Sequence, residues 1–164
     1  MRSFLFAFVA AACLVDAARA QEDPAFLSVG AGVYDINDNQ KAGEVRLEYR
    51  VARRFWMFKP FFGASGTTDA AAYAYGGVLI DIHFGPRWVL TPNAAFGLYR
   101  DGSGKKLGHV AEFRTGAELA YRFDNRSRFG LALHHISNAS LGEKNPGTEI
   151  LSLIYSVPFD SLAK

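Results

Sequence analysis

Hydrophobic and polar residues alternate along most of the chain after residue 25. In residues 44–51 every second side chain is charged and those between are mostly apolar; the charged set is Glu44, Arg46, Glu48 and Arg50. Residues 110–123 repeat the pattern with Glu112, Arg114, Glu118 and Arg122. Because successive side chains of a β-strand point to opposite faces, this period predicts strands with one charged and one apolar face.

Eight segments of this kind follow one another along the chain. They cover residues 26–33, 44–51, 55–64, 70–84, 88–98, 110–123, 129–137 and 149–159. Pro60 and Pro92 fall inside the third and fifth segments, where each removes a backbone donor from the strand ladder. We therefore expect β-bulges at these two prolines.

The connections between the segments alternate in length. Long ones follow the odd-numbered segments, at 35–43, 65–69, 100–108 and 138–148, and short ones follow the even-numbered segments, at 52–54, 85–86 and 124–127. Bacterial outer-membrane barrels show this asymmetry, and a tilted strand of about ten residues crosses a bilayer. The sequence therefore predicts an all-β fold, an eight-stranded antiparallel transmembrane β-barrel of the bacterial outer membrane, with its charges paired inside as a Glu/Arg ladder.

The same alternation also fits a soluble exported barrel whose apolar face surrounds a lipid ligand. Three features favour the membrane: opposite charges interleaved on the polar face, the loop asymmetry, and aromatic residues near the segment ends, where interfacial belts lie. These aromatic residues are Phe55, Trp56, Trp88, Tyr121, Tyr155 and Phe159.

The N-terminus carries the features of an export signal. Arg2 precedes an apolar run and the small-residue site Ala18-Arg19-Ala20, which predicts a signal peptide over residues 1–20 that is cleaved after Ala20. A lipoprotein site at Cys13 is the alternative. Since Cys13 is the only cysteine, the mature chain 21–164 would be one barrel domain without a disulfide. The net charge of +2 gives no electrostatic reason to expect a nucleic-acid partner.

Candidate chemistry lies between the last two segments. His135 and Ser137 share the apolar face of the seventh segment, and Glu149 begins the apolar alternation of the eighth. If these strands pair antiparallel, Glu149 lies either directly opposite His135 or diagonal to it, depending on the register. Both registers bring a nucleophile, a base and a carboxylate within reach.

These three residues would sit on the lipid-facing side at the outer end of the barrel. Polar groups on that side are costly and are rarely retained without a role. We expect His135 to accept the Ser137 proton during attack on a lipid ester, with Glu149 orienting the imidazole. Asn138 and Asn145 are candidate oxyanion donors, together with backbone N–H groups of the loop.

These residues are similar to a known motif. His135-x-Ser137-Asn138, followed by Asn145-Pro146-Gly147 and Glu149, resembles the lipid A 3-O-deacylase family of Gram-negative outer membranes most closely over about residues 129–159. The resemblance implies hydrolysis of the ester-linked 3-O-acyl chain of lipid A in lipopolysaccharide, with His135, Ser137 and Glu149 as the triad and no metal or other cofactor.

The remaining candidates concern the substrate head group and the other histidines. Arg100, Lys105 and Lys106 lie in or beside a long outer connection, where they could contact lipid A phosphates. His134 faces the opposite side from His135, so we expect it to be an interior hydrogen-bonding residue. His83 and His109 lack partners at metal-ligand spacing. A non-enzymatic outer-membrane barrel stays an alternative function, and the oligomeric state, a homodimer included, stays open.

Overall fold

Antiparallel strands form nearly all of the regular structure of the chain. The computed structural model describes residues 23–162, so the predicted signal peptide and Cys13 lie outside the described residues. The strands are β1 (Phe26–Tyr34), β2 (Ala42–Arg50), β3 (Lys59–Thr67), β4 (Ala72–Leu79), β5 (Ile82–Phe84), β6 (Trp88–Arg100), β7 (Ala111–Arg122), β8 (Arg128–Ser137) and β9 (Thr148–Pro158). A single 3-10 turn, Phe159–Ser161, follows β9. No helix within residues 23–162 is long and apolar enough to cross a membrane.

The strands close on themselves as a barrel. β1 pairs with both β2 and β9, and β4 pairs with both β3 and β6. β5 continues β4 along the same partner β6, so the two segments form one strand of the barrel wall. The wall therefore has eight strands, all antiparallel to their neighbours, as the sequence predicts. Closure leaves no unpaired sheet edge to be satisfied by water.

The burial pattern places the charged faces inside the barrel and the apolar faces outside. Glu48 and Arg114 are 3% and 2% exposed, whereas Val45 and Leu47 are 65% and 50% exposed. A soluble barrel around a lipid ligand would have the reverse arrangement, so that alternative is wrong. An apolar exterior over a closed antiparallel wall is the arrangement of a transmembrane barrel.

Ion pairs join many of the interior charges, in agreement with the predicted Glu/Arg ladder, whereas the buried Glu112 carboxylate has no hydrogen-bond partner within residues 23–162. Glu48 lies 2.7 Å from Arg114 Nη2, 3.1 Å from Arg50 Nη2 and 3.5 Å from Arg46 Nε. Glu118 accepts a hydrogen bond of 2.6 Å from Arg50 Nη2. A buried charge is tolerated only when it is paired and hydrogen-bonded, and these contacts supply the partners.

The prediction of β-bulges at the two prolines is wrong, because the strands pass both positions without one. The β4–β6 and β5–β6 pairings keep one register on both sides of Pro92. Ile80 N–H donates to Pro92 O at 3.1 Å, but Pro92 has no N–H to return, so the ladder is interrupted between β4 and β5 without an added residue. The carbonyl of Pro60 accepts a hydrogen bond of 2.9 Å from Val51 N–H. Because Val51 lies beyond the end of β2, the N–H that Pro60 lacks costs the strand ladder little.

The third strand starts later than its pattern predicts. Phe55 and Phe58 bond to each other through N–H···O contacts of 2.8 and 3.1 Å, and Trp56 has φ +59°. Residues 55–58 therefore form a tight turn with Phe55 and Trp56 exposed, and β3 begins at Lys59. The strand then extends to Thr67, through small residues that the sequence analysis assigned to a loop.

A second ion cluster closes the barrel end that carries the short turns. Asp23 is buried just before β1 and lies 2.9 Å from Arg128 Nη2 and 3.4 Å from Lys59 Nζ. Burial acts to raise the pKa of Asp23, but the hydrogen bond with His83 and these two cations outweigh it and hold the pKa well below its ordinary value. The cluster ties the chain that enters the barrel to β3 and β8.

Candidate active site

Strand pairing brings His135 and Glu149 together. In the β8–β9 register His135 lies directly opposite Glu149, the first of the two registers that the sequence allows. Glu149 Oε1 lies 3.0 Å from His135 Nδ1. A proton on Nδ1 makes this a hydrogen bond from the imidazole to the carboxylate, which leaves Nε2 as the nitrogen able to accept a proton.

Ser137 lies two residues beyond His135 on the same outward face of β8. Its side chain is half-buried, and its neighbour across the ladder is Phe113 of β7. Two residues along a strand span about 6.6 Å, which a histidine side chain bridges only when its imidazole leans toward the serine. Within residues 23–162 the Ser137 hydroxyl makes no hydrogen bond with His135. Catalytic hydrogen bonds of this kind are often long before substrate binds and shorten in the complex.

The three side chains lie on the outer surface of the wall and not in its interior. The His135 and Glu149 side chains keep 47% and 33% of their surfaces exposed. Directly next to them on the same face, Leu133 and Leu151 pair across the ladder and are 51% and 44% exposed. The site therefore opens sideways toward lipid, at the barrel end that carries the long loops.

Asn138 is the centre of the hydrogen bonds that hold the loop after β8. Its side chain is fully buried, and Nδ2 donates to the carbonyls of Leu107 and Lys144, each at 2.8 Å. Its Oδ1 accepts from Ser140 N–H at 2.9 Å. Both hydrogens of the side-chain amide are therefore engaged in the loop in this conformation.

Asn145 presents the opposite arrangement. Its Oδ1 accepts from Asn138 N–H at 3.0 Å, which fixes the orientation of the amide and turns Nδ2 the other way. The residue is exposed, and its Nδ2 donates no hydrogen bond within residues 23–162. Of the two candidate oxyanion donors, Asn145 is thus the one with amide hydrogens available.

The three basic candidates for phosphate binding separate into two groups. Lys105 is 8% exposed and forms ion pairs with Asp35 and, at 3.3 Å, with Asp38. Burial acts to lower the pKa of Lys105, but its bonds to these carboxylates outweigh it and raise the pKa above its usual value. Lys105 thus joins two outer loops. Arg100 and Lys106 are exposed, and both line a shallow depression of about 460 Å³.

Connections between the loops and the site could not be read from the sequence. Asp35 Oδ1, which binds Lys105, also accepts from Thr148 Oγ1 at 3.1 Å. Ile36 N–H donates to the carbonyl of Glu149 at 3.1 Å. The Asp35–Thr148 and Ile36–Glu149 contacts join residues more than a hundred positions apart, and no local pattern marks them.

The other histidines lie outside this site. His134 is 3% exposed and its Nδ1 lies 3.1 Å from Arg46 Nη1, which confirms the expected interior position. His83 contacts Asp23, and His109 bonds to the backbone of Ala111. Within residues 23–162 no three His, Cys, Asp or Glu side chains are grouped as metal ligands.

Sequence comparison connects this geometry to known proteins. The profile of the family described as "Lipid A 3-O-deacylase (PagL)" matches residues 41–158. The chain is also 34% identical, over 55 residues, to the protein named lipid A deacylase PagL of Bordetella bronchiseptica. That alignment covers 34% of this chain and 31% of the length of the relative, so the chain is aligned with about a third of it.

Comparison of structures supports the same fold. A crystal structure described as that of the outer membrane enzyme PagL is similar with a TM-score of 0.63 and 20% identity, covering 82% of this chain and 99% of the other. The crystal structure of Neisserial surface protein A is similar with a TM-score of 0.62 and 11% identity, covering 82% and 97%. At such identities the likeness is one of barrel architecture.

Proposed function

The chain belongs to the lipid A 3-O-deacylase (PagL) family, and we propose that it is an outer-membrane serine esterase that removes the ester-linked 3-O-acyl chain of lipid A. The observation that carries the proposal is the 3.0 Å contact between His135 Nδ1 and Glu149 Oε1 beside Ser137. Because this group lies on the lipid-facing surface near the long loops, its substrate is a lipid of the outer leaflet.

The proposed reaction proceeds through an acyl-enzyme. Ser137 Oγ attacks the ester carbonyl carbon while His135 Nε2 accepts the hydroxyl proton, and Glu149 stabilises the imidazolium that forms. The tetrahedral intermediate collapses with cleavage of the ester bond, and His135 gives the proton to the 3-oxygen of the sugar, which leaves as a free hydroxyl group. A water molecule then attacks the acyl-enzyme by the same steps and releases a fatty acid.

The developing oxyanion requires a hydrogen-bond donor. Asn145 Nδ2 fits this role because its Oδ1 is held by Asn138 N–H at 3.0 Å, so the amide is oriented before substrate binds. A preoriented donor of this type stabilises the transition state without the cost of reorganisation. Asn138 contributes indirectly, by fixing the loop that carries Asn145.

Head-group recognition is assigned to the exposed cations. Arg100 and Lys106 line one depression beside the outer end of β6, whereas Lys105 is engaged with Asp35 and Asp38. We therefore assign contacts with lipid A phosphates to Arg100 and Lys106 and withdraw Lys105 from that role. Binding of the head group would present one ester to Ser137 and so select the 3-O-acyl chain.

The test is mass spectrometry of lipid A from Gram-negative cells that express the intact chain, Ser137→Ala or Ser140→Ala. Ser140 is a matched control, because it is an exposed loop serine whose backbone N–H bonds to Asn138 and is kept by alanine. Heat-modifiable gel mobility confirms equal insertion of all three proteins. We expect loss of one 3-hydroxyacyl chain with the intact chain and Ser140→Ala, and unmodified lipid A with Ser137→Ala.

Two results would contradict the proposal. Unmodified lipid A in all three strains despite good insertion would favour a non-enzymatic barrel. Deacylation by Ser137→Ala at the rate of the intact chain would retain the activity but remove Ser137 as the nucleophile.

A further inference from the structure

Gly147 packs directly against the catalytic imidazole. A Cβ atom added at Gly147 would lie 2.9 Å from His135 Cε1 and 3.5 Å from His135 Nε2. The first distance is shorter than carbon atoms tolerate, so one of the two groups would have to move. Gly147 also has φ +62°, a backbone conformation that glycine adopts without strain. A side chain at this position is therefore disfavoured for two separate reasons.

The contact falls on the part of the imidazole that the proposed reaction uses. Glu149 contacts the ring at Nδ1, and a Cβ at position 147 would meet the neighbouring ring atoms Cε1 and Nε2. The position of the ring therefore depends on the carboxylate of Glu149 and on the absence of a side chain at position 147. The His135 side chain keeps 47% of its surface exposed, so a displaced ring has open space to move into.

We propose that Gly147 is a positioning residue for His135, whose bare backbone sets the angle at which Nε2 faces Ser137. This inference rests on the proposed function for its catalytic consequence, but the contact itself is independent of it. A side chain at position 147 would push the ring away by a few tenths of an ångström, because its Cβ needs about 3.4 Å or more from a ring carbon. Such a shift would strain the bond to Glu149 or turn Nε2 from Ser137.

The experiment compares Gly147→Ala with Gly85→Ala. Gly85 lies in a short turn at the other barrel end with φ +63°, and a Cβ there would meet no atom within 4 Å. The two substitutions therefore impose the same backbone strain, and only one of them touches His135. Both proteins are purified in detergent micelles with ¹³Cε1-labelled histidine, and the spectrum of His135→Gln identifies the His135 signal among the four histidines.

We expect Gly147→Ala to shift the Cε1 resonance of His135 while those of His83, His109 and His134 stay in place. For deacylation we expect kcat to fall on the order of tenfold with KM unchanged, since a misplacement of about 1 Å can cost about a hundredfold. Gly85→Ala should leave the resonance and kcat as in the intact chain. If Gly147→Ala does not insert, Gly147→Asn and Gly85→Asn replace the pair, because asparagine tolerates positive φ.

An unchanged His135 resonance in the Gly147 variant would overturn the inference, and so would an equal loss of kcat in the Gly85 variant. An intact chain without deacylase activity would remove the proposed function on its own. In that case the His135 resonance would still decide whether Gly147 positions the ring.

Discussion

Substitution of Asn145 by aspartate tests its proposed role as the oxyanion donor without removing the hydrogen bond that supports the loop. The two polar atoms of the Asn145 side chain have different surroundings. Oδ1 accepts a hydrogen bond of 3.0 Å from Asn138 N–H, and Nδ2 is directed away from that bond. Aspartate keeps the oxygen that supports the loop and replaces the amide with a second oxygen. Alanine removes both groups, so the two variants separate catalysis from stability.

The expected losses follow from these contacts. Removing one oxyanion donor costs about a hundredfold to a thousandfold in kcat. Because Asn145 is exposed, water competes with the donor, and we expect kcat of the alanine variant to fall by about a hundredfold. Aspartate places a negative charge beside the developing oxyanion, so its kcat should fall further. Only alanine loses the loop hydrogen bond, which contributes about 1 kcal/mol.

The assay is release of 3-hydroxy fatty acid from lipid A in mixed micelles, with limited proteolysis of the 138–148 loop as the measure of loop order. Asn145→Asp should be the less active variant and Asn145→Ala the one cleaved faster. Asn138→Ala provides the contrast, since it removes bonds of 2.8 Å to both Leu107 O and Lys144 O and should open the loop most. If Asn145→Asp kept kcat within about threefold of the intact chain, Asn145 would not be a donor.

Two further predictions concern the buried charges. Glu48→Gln removes the carboxylate that Arg46, Arg50 and Arg114 share, so the free energy of unfolding from phospholipid vesicles in urea should fall by about 3–5 kcal/mol; a loss below about 1 kcal/mol would contradict the paired interior. Folding lowers the pKa of Asp23, so the ionised carboxylate stabilises the folded state. This contribution is complete at pH values above 3.8, the pKa of the group in the unfolded chain, and is lost as the pH falls below 3.8. The stability difference between the intact chain and Asp23→Asn, followed by urea titration from pH 7 to pH 3, should therefore shrink on acidification, and a constant difference would refute it.

The period-two pattern predicted the barrel because it reports which side chains share a face. Glu48 and Leu47 are assigned to opposite faces by their positions alone, and the structure places them inside and outside. The effect of Pro92 was not predictable in the same way. A strand can accommodate the missing N–H of a proline either by a bulge or by an interrupted ladder. Which of the two occurs depends on the partner strand, and here Ile80 still donates to the Pro92 carbonyl, so the register is unchanged.

The sequence predicted the contacts of the candidate site that depend on which strand residues share a face. It did not predict the contacts that depend on how the loops fold together. His135 and Glu149 lie on paired strands, so the sequence limited their register to two alternatives. Lys105 was predicted to contact phosphate because it lies in a long outer connection. Its ion pair with Asp35 joins residues 70 positions apart, and a contact of that kind becomes visible only when the barrel brings the loops together.

The division between interior and exterior explains why the proposed site lies on the outer surface. The interior is occupied by large charged side chains such as Arg114 and Arg128, together with a cluster of buried tyrosine and aliphatic side chains. An acyl chain could enter there only by displacing these packed side chains, and each charge left unpaired would cost several kcal/mol. On the outside, Leu133 and Leu151 already form an apolar surface beside His135 and Glu149. An esterase built on this barrel therefore takes its acyl chain from the surrounding bilayer, and the loop residues around Asn145 and Gly147 have to supply the orientation that a closed pocket would otherwise provide.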